Sequence, residues 1–219
     1  MERIPEPELM IDLAQAKAYS EADFESRHSK IIKLIDRSFN TADISGDILD
    51  LGCGPGDVTF RLARRFLSAD ITAIDGSPAM ISQAQARLLR EQTFTNRMVF
   101  IEALIPGLAI PNKPYQLIVS TSFLHHLHQP EVLWQTVIKY STPGTKVFIA
   151  DLCRPASKRA ARQMVRQHAS GEPDVLQQDF YHSLLAAFTA EEVEKQLLAA
   201  GLSNLTVELD DYLLIYGEI

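Results

Sequence analysis

The feature that most constrains this chain is the run Ile48-Leu49-Asp50-Leu51-Gly52-Cys53-Gly54-Pro55-Gly56, answered by Asp75 at the end of a second apolar run, Ile71-Thr72-Ala73-Ile74. A short apolar segment ends in alternating glycines. An amphipathic stretch follows, with Val58, Leu62, Ala63 and Phe66 on one face. This pattern reads as strand, tight turn and helix, and the second run completes a β-α-β unit. Glycines let the backbone bend sharply and approach a ligand closely. A carboxylate at the tip of the second strand can accept hydrogen bonds from both hydroxyls of a ribose. The unit therefore reads as a holder for a nucleoside-containing cofactor, with Gly52 and Gly54 at the turn and Asp75 on the ribose.

The alternation continues along the chain. Strands are expected near 47–51, 70–75, 98–102, 116–121 and 145–151, with helical patterns between most of them. Ser77-Pro78 is an N-cap followed by proline in the first turn of a helix running to about Arg90. Pro130 opens another through Tyr140. Pro106, Pro111 and Pro114 make 103–115 a loop. Beyond the fifth strand, helices are expected over 155–168 and 174–188. A capping box at Thr189-Ala190-Glu191-Glu192 starts a third, ending at Gly201. Two final strands near 204–208 and 211–217 make an antiparallel hairpin at one edge. The expected fold is α/β, a doubly wound, mostly parallel seven-stranded sheet with helices on both faces. The region before residue 40, with Tyr19 and Phe24, reads as helical pieces.

Composition narrows the partners. The chain has 219 residues, 46% of them hydrophobic, which suits one domain spanning 1–219. A net charge of −7 argues against a dedicated nucleic-acid binder, which carries a basic footprint. No apolar run is long enough to span a bilayer. The acidic, proline-bearing start does not read as a signal peptide. Cys53 and Cys153 make neither a disulfide framework nor a zinc cluster. The expectations are a reducing cytoplasm, no metal site, a small-molecule substrate, and a monomer or homodimer.

With these residues in order the chain resembles the class I S-adenosylmethionine-dependent methyltransferases, over about residues 45–217. Asp50-Leu51-Gly52-Cys53-Gly54-Pro55-Gly56 is similar to the family's first motif and Asp75-Gly76-Ser77-Pro78-Ala79-Met80 to its second. Ser120-Thr121-Ser122-Phe123-Leu124-His125-His126-Leu127 is similar to the fourth-strand motif of the small-molecule branch, which includes quinone-biosynthesis enzymes. Pro143-Gly144-Thr145 and the terminal hairpin also fit. The resemblance implies a Rossmann-like methyltransferase fold that binds S-adenosylmethionine, yields S-adenosylhomocysteine and methylates a small-molecule acceptor. No Asn/Asp-Pro-Pro-aromatic motif follows strand four, which argues against methylation of the exocyclic amines of nucleic-acid bases.

The resemblance also implies site residues. Asp50, Gly52, Cys53, Gly54, Asp75, Gly76, Ser77, Met80, Ser120 and Tyr19 are expected at the cofactor. Where the family usually places a Gly-Asp pair for the adenine amine, this chain has Ala103-Leu104, so Leu104 cannot make that bond. Either Glu102, a backbone carbonyl or water takes the role. His125 or His126, but not both, is expected to face the acceptor as a general base, because neighbours on a helical turn diverge by about 100°. The segments 1–40 and 155–188 are expected as a helical lid, with Tyr181 and His182 at the substrate.

Two other readings stay open. One is a nicotinamide-dependent oxidoreductase on a similar fold. Against it, the spacing Gly52-x-Gly54-x-Gly56 departs from G-x-G-x-x-G, and Asp57 at the helix start would repel a pyrophosphate. The other is a non-catalytic S-adenosylmethionine-binding protein.

Overall fold

A computed structural model describes residues 1–9, 19, 25–39, 44–107, 110, 111 and 113–219. The expected role of Phe24, and most of the helical pieces expected before it, lie outside the described residues. The chain runs α1 (Glu25–Phe39), β1 (Asp47–Leu51), α2 (Asp57–Arg65), β2 (Ile71–Asp75), α3 (Pro78–Arg90), β3 (Met98–Glu102) and β4 (Tyr115–Thr121). It continues through α4 (Glu131–Tyr140), β5 (Lys146–Asp151), α5 (Lys158–His168), α6 (Asp174–Ala186), α7 (Ala190–Ala200), β6 (Thr206–Leu209) and β7 (Leu213–Glu218).

The strands form one seven-stranded sheet in the order β3-β2-β1-β4-β5-β7-β6. β1 to β5 are parallel, and β7 runs antiparallel to both β5 and β6. A strand's side chains alternate between faces, so a sheet covered on both sides needs near-continuous apolar strands. Ile48, Leu117, Val119, Phe148 and Leu214 face α1, α2 and α3 in one buried cluster. Leu49, Ile118, Val147, Ile149 and Ile215 face α4 and α7 in another, around Trp134, Val193 and Leu197. Trp134 is fully buried and its ring N–H donates to Gln196. A third cluster joins α5 and α6 through Ala161, Val165, Leu184 and Leu185.

Element ends follow local chemistry. α3 starts where Ser77 accepts from the Met80 amide, and α7 starts in a complete Thr189–Glu192 capping box. α5 begins at Lys158 rather than 155 because Ser157 is its N-cap. α6 stops at Ala186, short of 188, as the chain turns so that Phe188 bridges Cys153. A single 3-10 turn at Leu124–His126 follows β4. Among the described residues no helix is long and apolar enough to cross a membrane.

One side chain ties the edge of the sheet to a helix end. Arg97 donates to the carbonyls of Ala63 and Phe66, at the end of α2, and of Ala69 in the loop that follows. A charged hydrogen bond contributes about 1.5–3 kcal/mol, and three sharing one guanidinium do not add, so Arg97→Met should cost about 2–3 kcal/mol. Urea unfolding should show a lower midpoint with the slope unchanged. An unmoved midpoint would mean that water satisfies those carbonyls equally well.

Candidate functional site

A cavity of about 550 Å³ lies at the carboxyl ends of the strands, lined by the turns after β1, β2 and β4 and by Leu152 after β5. The order of the sheet reverses between β1 and β4. Open α/β sheets bind ligands at such a switch point. A smaller cavity of about 120 Å³ shares Gly52, Asp75, Gly76 and Phe123, and is walled by Ile74, Ala103, Leu104, Ile105 and Leu127.

The glycine turn has separate reasons at each position. Gly52, Gly54 and Gly56 all have positive φ, at 73°, 54° and 85°. A Cβ on Gly52 would stand 2.3 Å from Phe123 Cγ, and one on Gly56 would stand 2.8 Å from Phe100 Cζ. Among the described residues Gly54 has no atom of another residue within 4 Å of that position, and it lines the larger cavity. Its bare backbone therefore faces open space that a ligand can fill. Gly76 is closed over instead: a Cβ there would lie 2.5 Å from Leu104 and 2.8 Å from Leu9.

Asp75 joins two of these turns. Its Oδ2 accepts from the Gly54 amide and its Oδ1 from the Ser77 amide, both at 2.8 Å. Burial raises its pKa, and the two amides oppose that shift. Each oxygen has acceptor capacity beyond its amide, and Asp75 lines the cavity. Asp50 differs from expectation. It is 1% exposed, its Oδ2 accepts from the Thr59 hydroxyl at 2.6 Å, and its Oδ1 is buried without a partner. Burial pushes its pKa up to about 7, with Asp75 adding to the rise. It does not line the cavity, so it supplies no exposed negative charge there. Asp57 does line the cavity, but it is not bare: His28, Arg61 and Arg87 all bond its carboxylate. Burial opposes ionisation, yet these three partners hold its pKa well below the usual range. Its repulsion of a phosphate is thus largely compensated.

The turn after β4 carries the second group of polar residues. Asp151, the last residue of β5, is 1% exposed. Its Oδ1 lies 2.5 Å from His125 Nδ1, and its Oδ2 accepts from the Phe123 amide. Ser122, a non-glycine at φ 50°, begins the turn, a conformation persisting only where surroundings over-determine it. Burial pulls the His125 pKa down, but Asp151, and then Glu6, outweigh it and raise it. His126 is pushed down to about 3, by burial and then by His125. Contrary to the expected divergence, both rings line the cavity, with centroids 4.2 Å apart and planes 34° apart. The tight 3-10 turn lets them lean together.

An N-terminal strap closes over this turn. Ile4 donates its amide to Leu185 O, and Arg3 reaches the carbonyls of His125, Leu127 and Ala186 while stacking 3.9 Å from the Phe188 ring centre. Glu6 accepts from Ser183, and Glu8 accepts from the His128 amide. Burial raises the Glu6 pKa against the pull of His125.

Of the residues expected at the cofactor, Gly52, Cys53, Gly54, Asp75, Gly76, Ser77, Met80 and Tyr19 line the larger cavity, and Leu104 lines the smaller. Tyr19 packs against Ala79 and Met80, and burial pushes its pKa up to about 12. Burial raises the Cys53 thiol well above its usual value, which disfavours the thiolate. Ser120 is fully buried and donates to Leu51 O across the β1–β4 seam, away from the cavity. Glu102 lines neither cavity. Tyr181 and His182 also miss the larger cavity; α6 presents Leu176, Asp179, Phe180 and Ser183 instead, spaced as one helical face. Tyr181 turns toward the Arg162 guanidinium, 5.8 Å from its ring centre. Arg3, Glu6, His28 and Asp151 were not foreseen. Only Asp151, a polar residue ending an apolar strand, left a local signal.

A family model described as a methyltransferase domain matches residues 24–207. A trans-aconitate 2-methyltransferase of Yersinia pestis (strain Pestoides F) is 33% identical over 158 residues, 67% of this chain and 58% of that protein. A mitochondrial ubiquinone biosynthesis O-methyltransferase of Schizosaccharomyces pombe is 25% identical over 121 residues, 55% of this chain and 43% of that protein. The chain thus spans 43–58% of these curated relatives. A solved structure from Methanococcus maripaludis, assigned as an S-adenosyl-L-methionine-dependent methyltransferase, superposes with a TM-score of 0.73 at 20% identity, covering 98% of this chain and 96% of that one. The plantazolicin methyltransferase BpumL, solved with a pentazolic desmethylPZN analog and SAH, superposes with a TM-score of 0.67 at 17% identity, covering 93% of this chain and 87% of that one. These two share the fold.

The buried Asp50 generates a pH prediction. Its folded pKa of about 7 lies above the usual 3.8, so its contribution favours folding below about pH 4 and is lost as pH rises through 7. The loss across that window is roughly 4 kcal/mol at most. Asp50→Asn should lack it, so the difference in melting temperature, variant minus wild type, should grow from pH 5 to pH 8. Parallel profiles would show that Asp50 is ionised throughout.

Proposed function

We propose that this chain, which belongs to the methyltransferase-domain family, transfers the methyl group of S-adenosylmethionine to a small-molecule acceptor and releases S-adenosylhomocysteine. The observation that carries the reading is the Asp75 carboxylate, held by the Gly54 and Ser77 amides at the edge of a cavity into which Gly54 presents bare backbone. That arrangement suits a ribose on Asp75. The apolar slot of Ala103, Leu104, Ile105 and Leu127 suits an adenine held by its faces, its amine bonded to backbone or water. Gly52 to Gly54, with Tyr19 and Met80 on the same cavity, would hold the rest of the cofactor. The named relatives support a small acceptor: one acts on trans-aconitate, another in ubiquinone biosynthesis.

A sulfonium methyl is already activated, so the chain's task is alignment and exclusion of water. The acceptor lies between the turn after β4 and the Phe180 face of α6. Neither histidine is poised as a free base. His125 is bonded to Asp151 on one nitrogen and faces Glu6 with the other, and His126, near pKa 3, binds a proton weakly. They form a wall that orients the acceptor. The strap over residues 1–9 and the α5–α6 pair act as a lid. Two free cysteines support a reducing cytoplasm.

S-adenosylhomocysteine at a hundred times its Kd should stabilise the protein by about 2.7 kcal/mol. That corresponds to a melting shift of roughly 5–10 °C. A shift with a nicotinamide dinucleotide and none with S-adenosylhomocysteine would sink the reading. Asp75→Ala should weaken cofactor binding at least about tenfold by calorimetry, since hydrogen bonds to a charged acceptor are worth roughly 1.5–3 kcal/mol. Unchanged affinity would remove Asp75 from the ribose.

A further inference from the structure

Glu6, His125 and His126 come from the N-terminal strap and the turn after β4, and each points one ligand atom at the same spot. Those three atoms lie within 4.8 Å of one another. Glu6 Oε1 stands 3.5 Å from His125 Nε2 and 3.3 Å from His126 Nδ1. These separations are long beside the N–H···O mode of about 2.9–3.0 Å. They fit a shared ion better: two ligands about 2.0–2.1 Å from a tetrahedral Zn²⁺ lie about 3.3 Å apart.

Two further observations point the same way. Among the described residues His126 Nδ1 is buried and makes no hydrogen bond, although Glu6 Oε1 stands 3.3 Å away. His125 is 3% exposed, and its other nitrogen is held at 2.5 Å by the buried Asp151. Metal-ligating histidines almost always pass their second ring N–H to such a carboxylate, which fixes the tautomer and aims the free nitrogen at the ion. The opposing cation, Arg3, is occupied by the carbonyls of His125, Leu127 and Ala186.

We propose that Glu6, His125 and His126 form a binding site for a divalent transition-metal ion of the Zn²⁺ class, with a fourth position open to the cavity that both histidines line. Two imidazoles and one carboxylate are a donor set that suits Zn²⁺ and its first-row neighbours over Mg²⁺ or Ca²⁺. Because Glu6 lies on the strap, the ion clips the strap to the turn after β4. This inference is independent of which cofactor fills the larger cavity.

The test uses the untagged full chain, stripped with a chelator and titrated with Co²⁺ and Zn²⁺. One Co²⁺ per chain should bind, give the visible absorption of four-coordinate cobalt, and be displaced by Zn²⁺. Losing an outer-shell partner costs about 10–100-fold in metal affinity, so Asp151→Asn should weaken binding by that much and keep the stoichiometry. His126→Ala and Glu6→Gln remove a ligand each and should lose more than that. His168→Ala, an exposed histidine on α5, should change nothing. Circular dichroism identifies folded variants, and Glu6→Gln, whose amide can still bond Ser183, decides alone if the histidine variant does not fold. Absence of saturable Co²⁺ binding by the wild type, or affinity undiminished in the folded ligand variants, overturns the site.

Discussion

A parallel sheet brings the loops from several strands to one rim, and their amides need partners where water is largely excluded. In this chain strand-end carboxylates supply them. Asp75 accepts the Gly54 and Ser77 amides, and Asp151 accepts those of Phe123 and Leu152. A buried amide without a partner costs about as much as a lost hydrogen bond, so these bonds decide whether the loops have one conformation. The acids and the tight turns depend on each other. Gly52 admits Phe123 because it has no side chain, and Phe123 is placed by its amide on Asp151.

The same acids divide the rim into two chemically different halves. Around Asp75 the surroundings are backbone and small residues, suited to a ligand with hydroxyls and flat rings. Around Asp151 they are imidazoles, Glu6 and a guanidinium, crowded enough that His125 and His126 shift in opposite directions while their rings touch. Phe123 stands between the halves and lines both cavities.

The fold was legible because its signals are local. Apolar runs such as Leu117–Val119 and Val147–Ala150, short and set between turn signals, read as buried strands, and Ser77-Pro78 and Thr189–Glu192 mark helix starts by their own hydrogen bonds. The glycine turn and Asp75 were legible for the same reason. Other parts depend on distant contacts. Which face of α6 meets the cavity is set by packing against α5, so Tyr181 and His182 were favoured over Asp179 and Phe180. Asp50 and Ser120 have the right spacing but the wrong depth, and spacing carries no information about depth. Glu6 looked like part of an acidic tail because the groups that explain it, His125, His126 and Ser183, lie far along the chain.

The placement of β7 between β5 and β6 bears on how the protein is made. β5 has β4 on one side, but its other neighbour arrives only after three helices and β6. During synthesis the nascent chain therefore carries an apolar strand with an open edge, the kind that recruits wrong partners. The α5–α7 segment emerges in that interval and, once folded, holds the chain near β5 through the Cys153–Phe188 bridge. Those helices then act as a placeholder, shortening the search by which the last strand finds its slot.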